Sequence, residues 1–111
     1  MQMPSPAKLY VVVDVALSAG QQLAQAVHAA FQLSVRFPVQ TEEWHEKSNF
    51  LVVLSSPDPL ADAIRIKQAH VIVTEPNFDG NTVTAVAFLP HPDVGRLLSA
   101  HPLALREPAM S

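Results

Sequence analysis

The chain is predicted to adopt a three-layer α/β/α fold. A four-stranded mixed sheet follows a β-α-β-α-β-β-α order, and its last strand is antiparallel. Three observations carry this expectation. Residues 8–15 (KLYVVVDV) form an almost unbroken apolar, β-branched run, as expected of a strand covered on both faces. Helical patterns separate the first three strand-like runs, which favours right-handed crossovers and a mostly parallel sheet. The third and fourth runs are joined by residues 76–81 (PNFDGN), whose turn chemistry favours an antiparallel hairpin.

The elements follow in order. After the first strand, Ser18 is placed to cap a helix, and Gln21 three residues later completes a capping box. From there to about Phe37 the pattern is helical. Leu23, Val27, Ala30, Phe31 and Ser34 recur at spacings of three and four and predict one buried stripe, and Pro38 is expected to end the helix. Residues 41–48 (TEEWHEKS) read as a loop or short helix with Trp44 as its one large anchor, packed on the core. Residues 50–54 (FLVVL) are a second buried strand, residues 57–59 a turn, and residues 60–68 a short helix. Strands are predicted over residues 71–74 and 82–88, a closing helix over 92–100, and a tail from 102 to 111.

Composition bounds what such a domain does. With 111 residues, 49% of them apolar, the chain suits a single domain whose core runs from about residue 8 to 105, with flexible ends. It has no cysteine, which excludes disulfides, thiolate nucleophiles and thiolate metal sites. No apolar run approaches the ~20 residues needed to span a bilayer, and residues 1–7 lack the pattern of a secretory signal. A cytoplasmic setting is therefore expected. The net charge is −3 and the seven Lys and Arg form no run, so any contact with RNA is expected to be local rather than through a basic patch. The five histidines show no H-x-x-x-H pairing, and three glycines cannot build a phosphate cradle. No metal or cofactor is expected.

Gln21, Gln25, His28 and Gln32 are spaced by four, three and four, and fall within a narrow arc of the first helix nearly opposite its apolar stripe. His28, flanked by Val27, Ala29 and Ala30, reads as partly buried. The helix starts at the carboxyl end of the first strand, where open α/β sheets place ligands, and its free backbone donors favour anionic groups. Glutamines on a helix are also the ordinary make-up of a solvated face, and Gln21 already has a capping role. Thr82 and Thr84 suit a strand on propensity alone, and Asp14 either caps the strand end or faces the cleft.

The segment GQQLAQAVHAA (residues 20–30), following a KLYVVV strand, resembles the first helix of the peptidyl-tRNA hydrolase 2 superfamily. Thr74-Glu75-Pro76, TVTAVAFLP (residues 82–90) and VGRLL (residues 94–98) look closest to its divergent "peptidyl-tRNA hydrolase domain-containing" branch. The resemblance covers about residues 8–105. It implies hydrolysis of the ester between a peptide, or an N-blocked amino acid, and tRNA, and it implies a homodimer as one arrangement. Residue by residue, Gln25 and His28 match the family's helix motif directly. The family's lysine after the helix-start Gly20 falls on Gln21, its aspartate on Glu75, and the threonine opening its last strand on Thr82. The implied catalytic groups are therefore Glu75, Thr82 and His28, with Gly20, Gln21 and Gln25 holding substrate.

The chain departs from the family at Gln21, which cannot supply a cation to a phosphate or oxyanion. The loop between Glu75 and Thr82 is also short, and Glu75 reaches about 1 Å further than an aspartate, a displacement able to cost about a hundredfold in rate. Two alternatives stand beside the hydrolase. One is a non-catalytic relative whose cleft binds RNA, a nucleotide-like ligand or a protein. The other is an oligomerisation module without a ligand.

Overall fold

The computed structural model of the chain describes residues 7–76 and 82–105. Eight elements follow one another as β1 (Lys8–Asp14), α1 (Ala19–Arg36), α2 (Pro38–Lys47), β2 (Phe50–Ser56), α3 (Pro59–Ile66), β3 (His70–Glu75), β4 (Thr82–Phe88) and α4 (Pro92–Leu97). They build an α/β fold on a mixed sheet of strand order β2-β1-β4-β3. β1 and β2 are parallel in the register Lys8↔Phe50 to Asp14↔Ser56. β4 is inserted between β1 and β3 and runs antiparallel to both, so the other three strands point the same way.

The apolar run in β1 has a simple cause. Leu9, Val11 and Val13 face one core, which Ala26, Ala29 and Leu33 of α1 cover. Val12 faces the other, which holds Ala63 and Ile66 of α3, Val94 of α4 and Leu98 just after α4. Both faces of the sheet are thus apolar and covered, as expected of strands in an α/β layer structure. Gly95 lets α4 lie close to the sheet, because a Cβ added there would sit 2.6 Å from the Tyr10 hydroxyl.

Pro38 ends the first helix as expected. It also stands at the first turn of α2, where its missing N–H costs nothing, and of the loop or short helix expected over residues 41–48 the structure has the helix, which starts earlier, at Pro38, and runs through Trp44 to Lys47. Trp44 is the anchor expected: it packs against the α1-side core and its Nε1 donates to the Phe50 carbonyl at 3.1 Å. The predicted tail is not free from its start. Ser55 N donates to the Pro102 carbonyl and Ala104 N to the Val53 carbonyl, which covers part of the β2 edge. The turn expected over residues 76–81 lies outside the described residues from 77 on, as do residues 106–111.

The largest correction concerns the orientation of α1. Its buried residues are Gln22, Gln25, Ala26, Ala29 and Leu33, whereas Leu23, Val27 and Phe31 are exposed. The predicted stripe is therefore turned away from the sheet. Apolar residues occupy two faces of the helix, on either side of the row of Gln21, His28 and Gln32, so periodicity fitted two faces equally well. The face with small residues won because alanines allow close approach to the sheet, and its two glutamines find hydrogen-bond partners. Among the described residues no helix is long and apolar enough to cross a membrane.

Candidate functional site

The strand-to-helix junction is built by local hydrogen bonds. Asp14 closes the end of β1, its Oδ1 accepting from Ala16 N at 2.9 Å, so this carboxylate serves a turn. Ser18 caps α1 as expected: its Oγ accepts from Gln21 N at 3.3 Å, and Gln21 Oε1 accepts from Ser18 N at 3.1 Å. The Gln21 side chain is thereby held at the helix start, exposed, beside the exposed Gly20. No acidic residue stands in the first turn, so the positive end of the helix dipole is not offset there.

Gln25 does not project into solvent with Gln21. It is 5% exposed, and its Oε1 accepts from Thr84 Oγ1 at 2.8 Å, a contact between α1 and the middle of the sheet. A β-bulge makes this contact. Val73 pairs with Ala85 and Thr74 with Val83, which leaves Thr84 as the extra residue on β4. Ala85 and Ala87 face α1 while Val86 and Phe88 face the other core, so unbroken alternation would send Thr84 away from α1. The bulge turns it back, and its hydroxyl also lies 3.4 Å from the Val73 carbonyl.

Beyond the bulge, Val83 packs with the opposite core, which assigns Thr82 to the α1 face with Thr84. Glu75 is the direct ladder partner of Thr82 and shares that face. Since β4 begins beside the end of β1, Glu75, Thr82 and Thr84 gather at the edge of the sheet where α1 starts. The structure thus brings together Gln25 and Thr84, and places Glu75 and Thr82 at the same end. His28 lies one turn further along α1 and is exposed, not partly buried. With Gln32 it continues the polar edge toward an open groove of about 560 Å³ lined by Gln32, Val35, Arg36, His70, Val71 and Ile72.

Two further polar features escaped sequence reasoning. Gln22 is buried, with its Nε2 donating to the Leu17 carbonyl at 2.9 Å, and its Oε1 has no hydrogen-bond partner among the described residues. The other is a buried cluster on the α3 side. Ser56 Oγ donates to Asp62 Oδ2 at 2.5 Å, His101 Nε2 stands 3.0 Å from both Asp62 oxygens, and Arg65 donates to Oδ1 at 3.0 Å. Burial alone would raise the Asp62 carboxyl, but the hydrogen bonds from Ser56, His101 and Arg65 outweigh it and hold the group below its ordinary value. Serine, histidine and aspartate meet here without forming a nucleophilic triad. The serine proton goes to aspartate instead of histidine, and Ser56 is fully buried. The cluster ties β2 and α3 to the segment after α4. Only the i, i+3 spacing of Asp62 and Arg65 hinted at it, since residues 56 and 101 join through tertiary contact.

Among the described residues no group of three or more His, Asp or Glu side chains is arranged to hold a metal ion. No protein-family model matches the chain, and no curated protein sequence matches it.

Proposed function

We propose that the chain is a hydrolase of the peptidyl-tRNA hydrolase 2 type, cleaving the ester between a peptide, or an N-blocked amino acid, and tRNA. The observation that carries this reading is the buried hydrogen bond from Thr84 to Gln25, which ties the α1 motif to the strand opened by Thr82 and faced by Glu75. The arrangement puts a carboxylate, hydroxyls and amides at one end of the sheet, beside an uncompensated helix start. In this reading Glu75 takes a proton from a water as the water oxygen attacks the ester carbonyl. Gln21 and Thr82 stabilise the oxyanion of the tetrahedral intermediate, His28 orients the substrate, and Gln25 acts from beneath by fixing Thr84 and the strand that Thr82 opens. Collapse of the intermediate breaks the bond to the ribose oxygen, which leaves with a proton as a free hydroxyl. The protein partner is then tRNA or peptidyl-tRNA, met in the cytoplasm.

A second reading has its own support. Gln21 is uncharged where the family's lysine would stand, and the chain's net charge of −3 does not favour RNA, so the cleft suits a non-catalytic binding role. A hydrolysis assay on a peptidyl-tRNA separates the two. The hydrolase reading expects peptide release by the wild type, a loss of about a hundredfold or more in Glu75→Ala, and a gain in Gln21→Lys. No release by the wild type, with activity appearing in Gln21→Lys, would replace the hydrolase with the binding role.

A further inference from the structure

β3 is an outer strand of the sheet, and among the described residues no strand pairs with its far side. The opposite edge, on β2, is partly covered by residues 102–104. The ladder fixes which groups the bare edge presents. Leu89 N donates to the Ala69 carbonyl, so in the antiparallel register residues 71 and 73 bond to β4, while residues 70 and 72 turn their backbone groups outward. His70 and Ile72 therefore offer N–H and C=O groups to the open groove of about 560 Å³, whose other wall is Gln32, Val35 and Arg36 of α1. An edge in this state is a template for one more strand. We propose that an extended peptide with a free C-terminal carboxylate adds to β3 in this groove, antiparallel to it, with the carboxylate on Arg36.

Polarity and charge commit the occupant. α1 is the crossover between the parallel strands β1 and β2, so it runs against them and against β3. Its last residue, Arg36, therefore lies at the end where β3 begins with His70, and both line the groove. A strand whose C-terminus arrives at that end runs antiparallel to β3. The edge also stops there. Lys67 takes a left-handed conformation, φ 59°, and residues 67–69 turn away toward α3. An added strand pairs no further than His70, so what reaches Arg36 is its terminal carboxylate. Among the described residues no carboxylate pairs with Arg36, whose guanidinium lies 5.8 Å from the centre of the Phe37 ring. The negative end of the α1 dipole is met by the positive start of α2, whose first turn has no acidic residue.

The register then assigns each peptide position. The last residue lies opposite His70, its N–H donating to the His70 carbonyl and its carboxylate accepting from His70 N–H and from Arg36. The third-last residue exchanges both backbone bonds with Ile72. Between them, the penultimate side chain points to the α1 face, because Val71 does. It meets Val71 and Val35, whose 65% exposure this contact reduces. A β-branched apolar residue suits that position. The His70 ring is held off the path, with its Nδ1 2.6 Å from the Gln68 carbonyl and its ring 5.8 Å from that of Phe88. Arg36 stands about 22 Å along α1 from Gln21, so the peptide site is independent of the hydrolase reading.

The test titrates the peptide acetyl-Thr-Val-Thr-Val-Ala, with a free carboxylate, into the isotope-labelled full chain and follows its amide NMR signals. Saturable shifts are expected at Val35, Arg36, His70 and Ile72, with none at Gln21. Amidating the peptide C-terminus and Arg36→Gln, a substitution at an exposed helix end, are each expected to weaken binding about tenfold, and the two losses are expected not to add. Methylating the backbone nitrogen of the third-last residue, which donates to Ile72, is expected to cost about tenfold. Methylating that of the penultimate residue, which points away from β3, is expected to change the affinity by less than about twofold. No shift at millimolar peptide would overturn the proposal, as would equal losses from the two methylations or an affinity indifferent to both amidation and Arg36→Gln. Shifts at Ile72 that grow with protein concentration in the absence of peptide would give the edge to a second copy and equally end the proposal.

Discussion

Removing the Thr84 hydroxyl tests whether the contact across the α1–sheet core is a coupled pair. Thr84 is fully buried and Gln25 nearly so, and the 2.8 Å bond between them lies out of reach of water. Thr84→Val keeps the side-chain outline and leaves Gln25 Oε1 buried with its donor gone, which costs about 1–3 kcal/mol. Gln25→Leu leaves the Thr84 hydroxyl only the longer, 3.4 Å contact with the Val73 carbonyl, at a similar cost of about 1–2 kcal/mol. The double variant replaces both polar groups with apolar ones, so its cost is expected to fall below the sum of the singles by about 1 kcal/mol or more. Urea unfolding of the four proteins gives this coupling directly. Each kcal/mol should also appear as about 4 °C in Tm for a domain of this size. Losses that add to within about 0.5 kcal/mol would refute the idea that the two groups act as a unit, and with it the role given to the bulge.

Asp62 predicts a defined acid response. Its carboxyl titrates below its ordinary value of about 3.9, so its stabilisation is complete above roughly pH 5 and is lost as the pH falls through the lowered pKa. Asp62→Asn is expected to cost about 2–4 kcal/mol at pH 7, and unfolding curves at pH 3 should show the gap to wild type narrowing; a gap unchanged with pH would contradict this account. Gly95→Ala is expected to destabilise by about 1–3 kcal/mol through the contact with Tyr10, and Tyr10→Phe in the same chain to recover part of it by removing the nearest atom. Thermal unfolding of the two variants beside wild type checks this, and an alanine variant as stable as wild type would show that the Tyr10 ring yields freely.

Much of the architecture was legible because local and periodic signals agreed. β4 runs from Thr82 to Phe88 as read, and the capping box of Ser18 and Gln21 is present with both bonds. α1 defeated the reading of its faces because apolar residues occupy both sides of it. What decided its orientation was the small volume of Ala26 and Ala29 against the sheet, which hydropathy does not register. The candidate site was half visible. Gln25 stood out by spacing, but its partner did not. Strict alternation separates Thr84 from the α1 face, and only the bulge, which no residue pattern announced, brings it there. The Asp62 cluster was hidden for a different reason. Beyond the i, i+3 pair of Asp62 and Arg65, Ser56 and His101 join it only through tertiary contact, with no spacing that chemistry demands.

One ligand site is proposed where the start of α1 meets the Glu75–Thr82 end of the β3–β4 pair. Amide NMR shifts on titration with an aminoacyl-nucleoside mimic test it most directly. Shifts are expected to cluster at Gly20, Gln21, Gln25, Glu75, Thr82 and Thr84. Shifts confined to Gln32, His70 and Ile72 in the groove at the far end of α1, or none at saturating ligand, would contradict it.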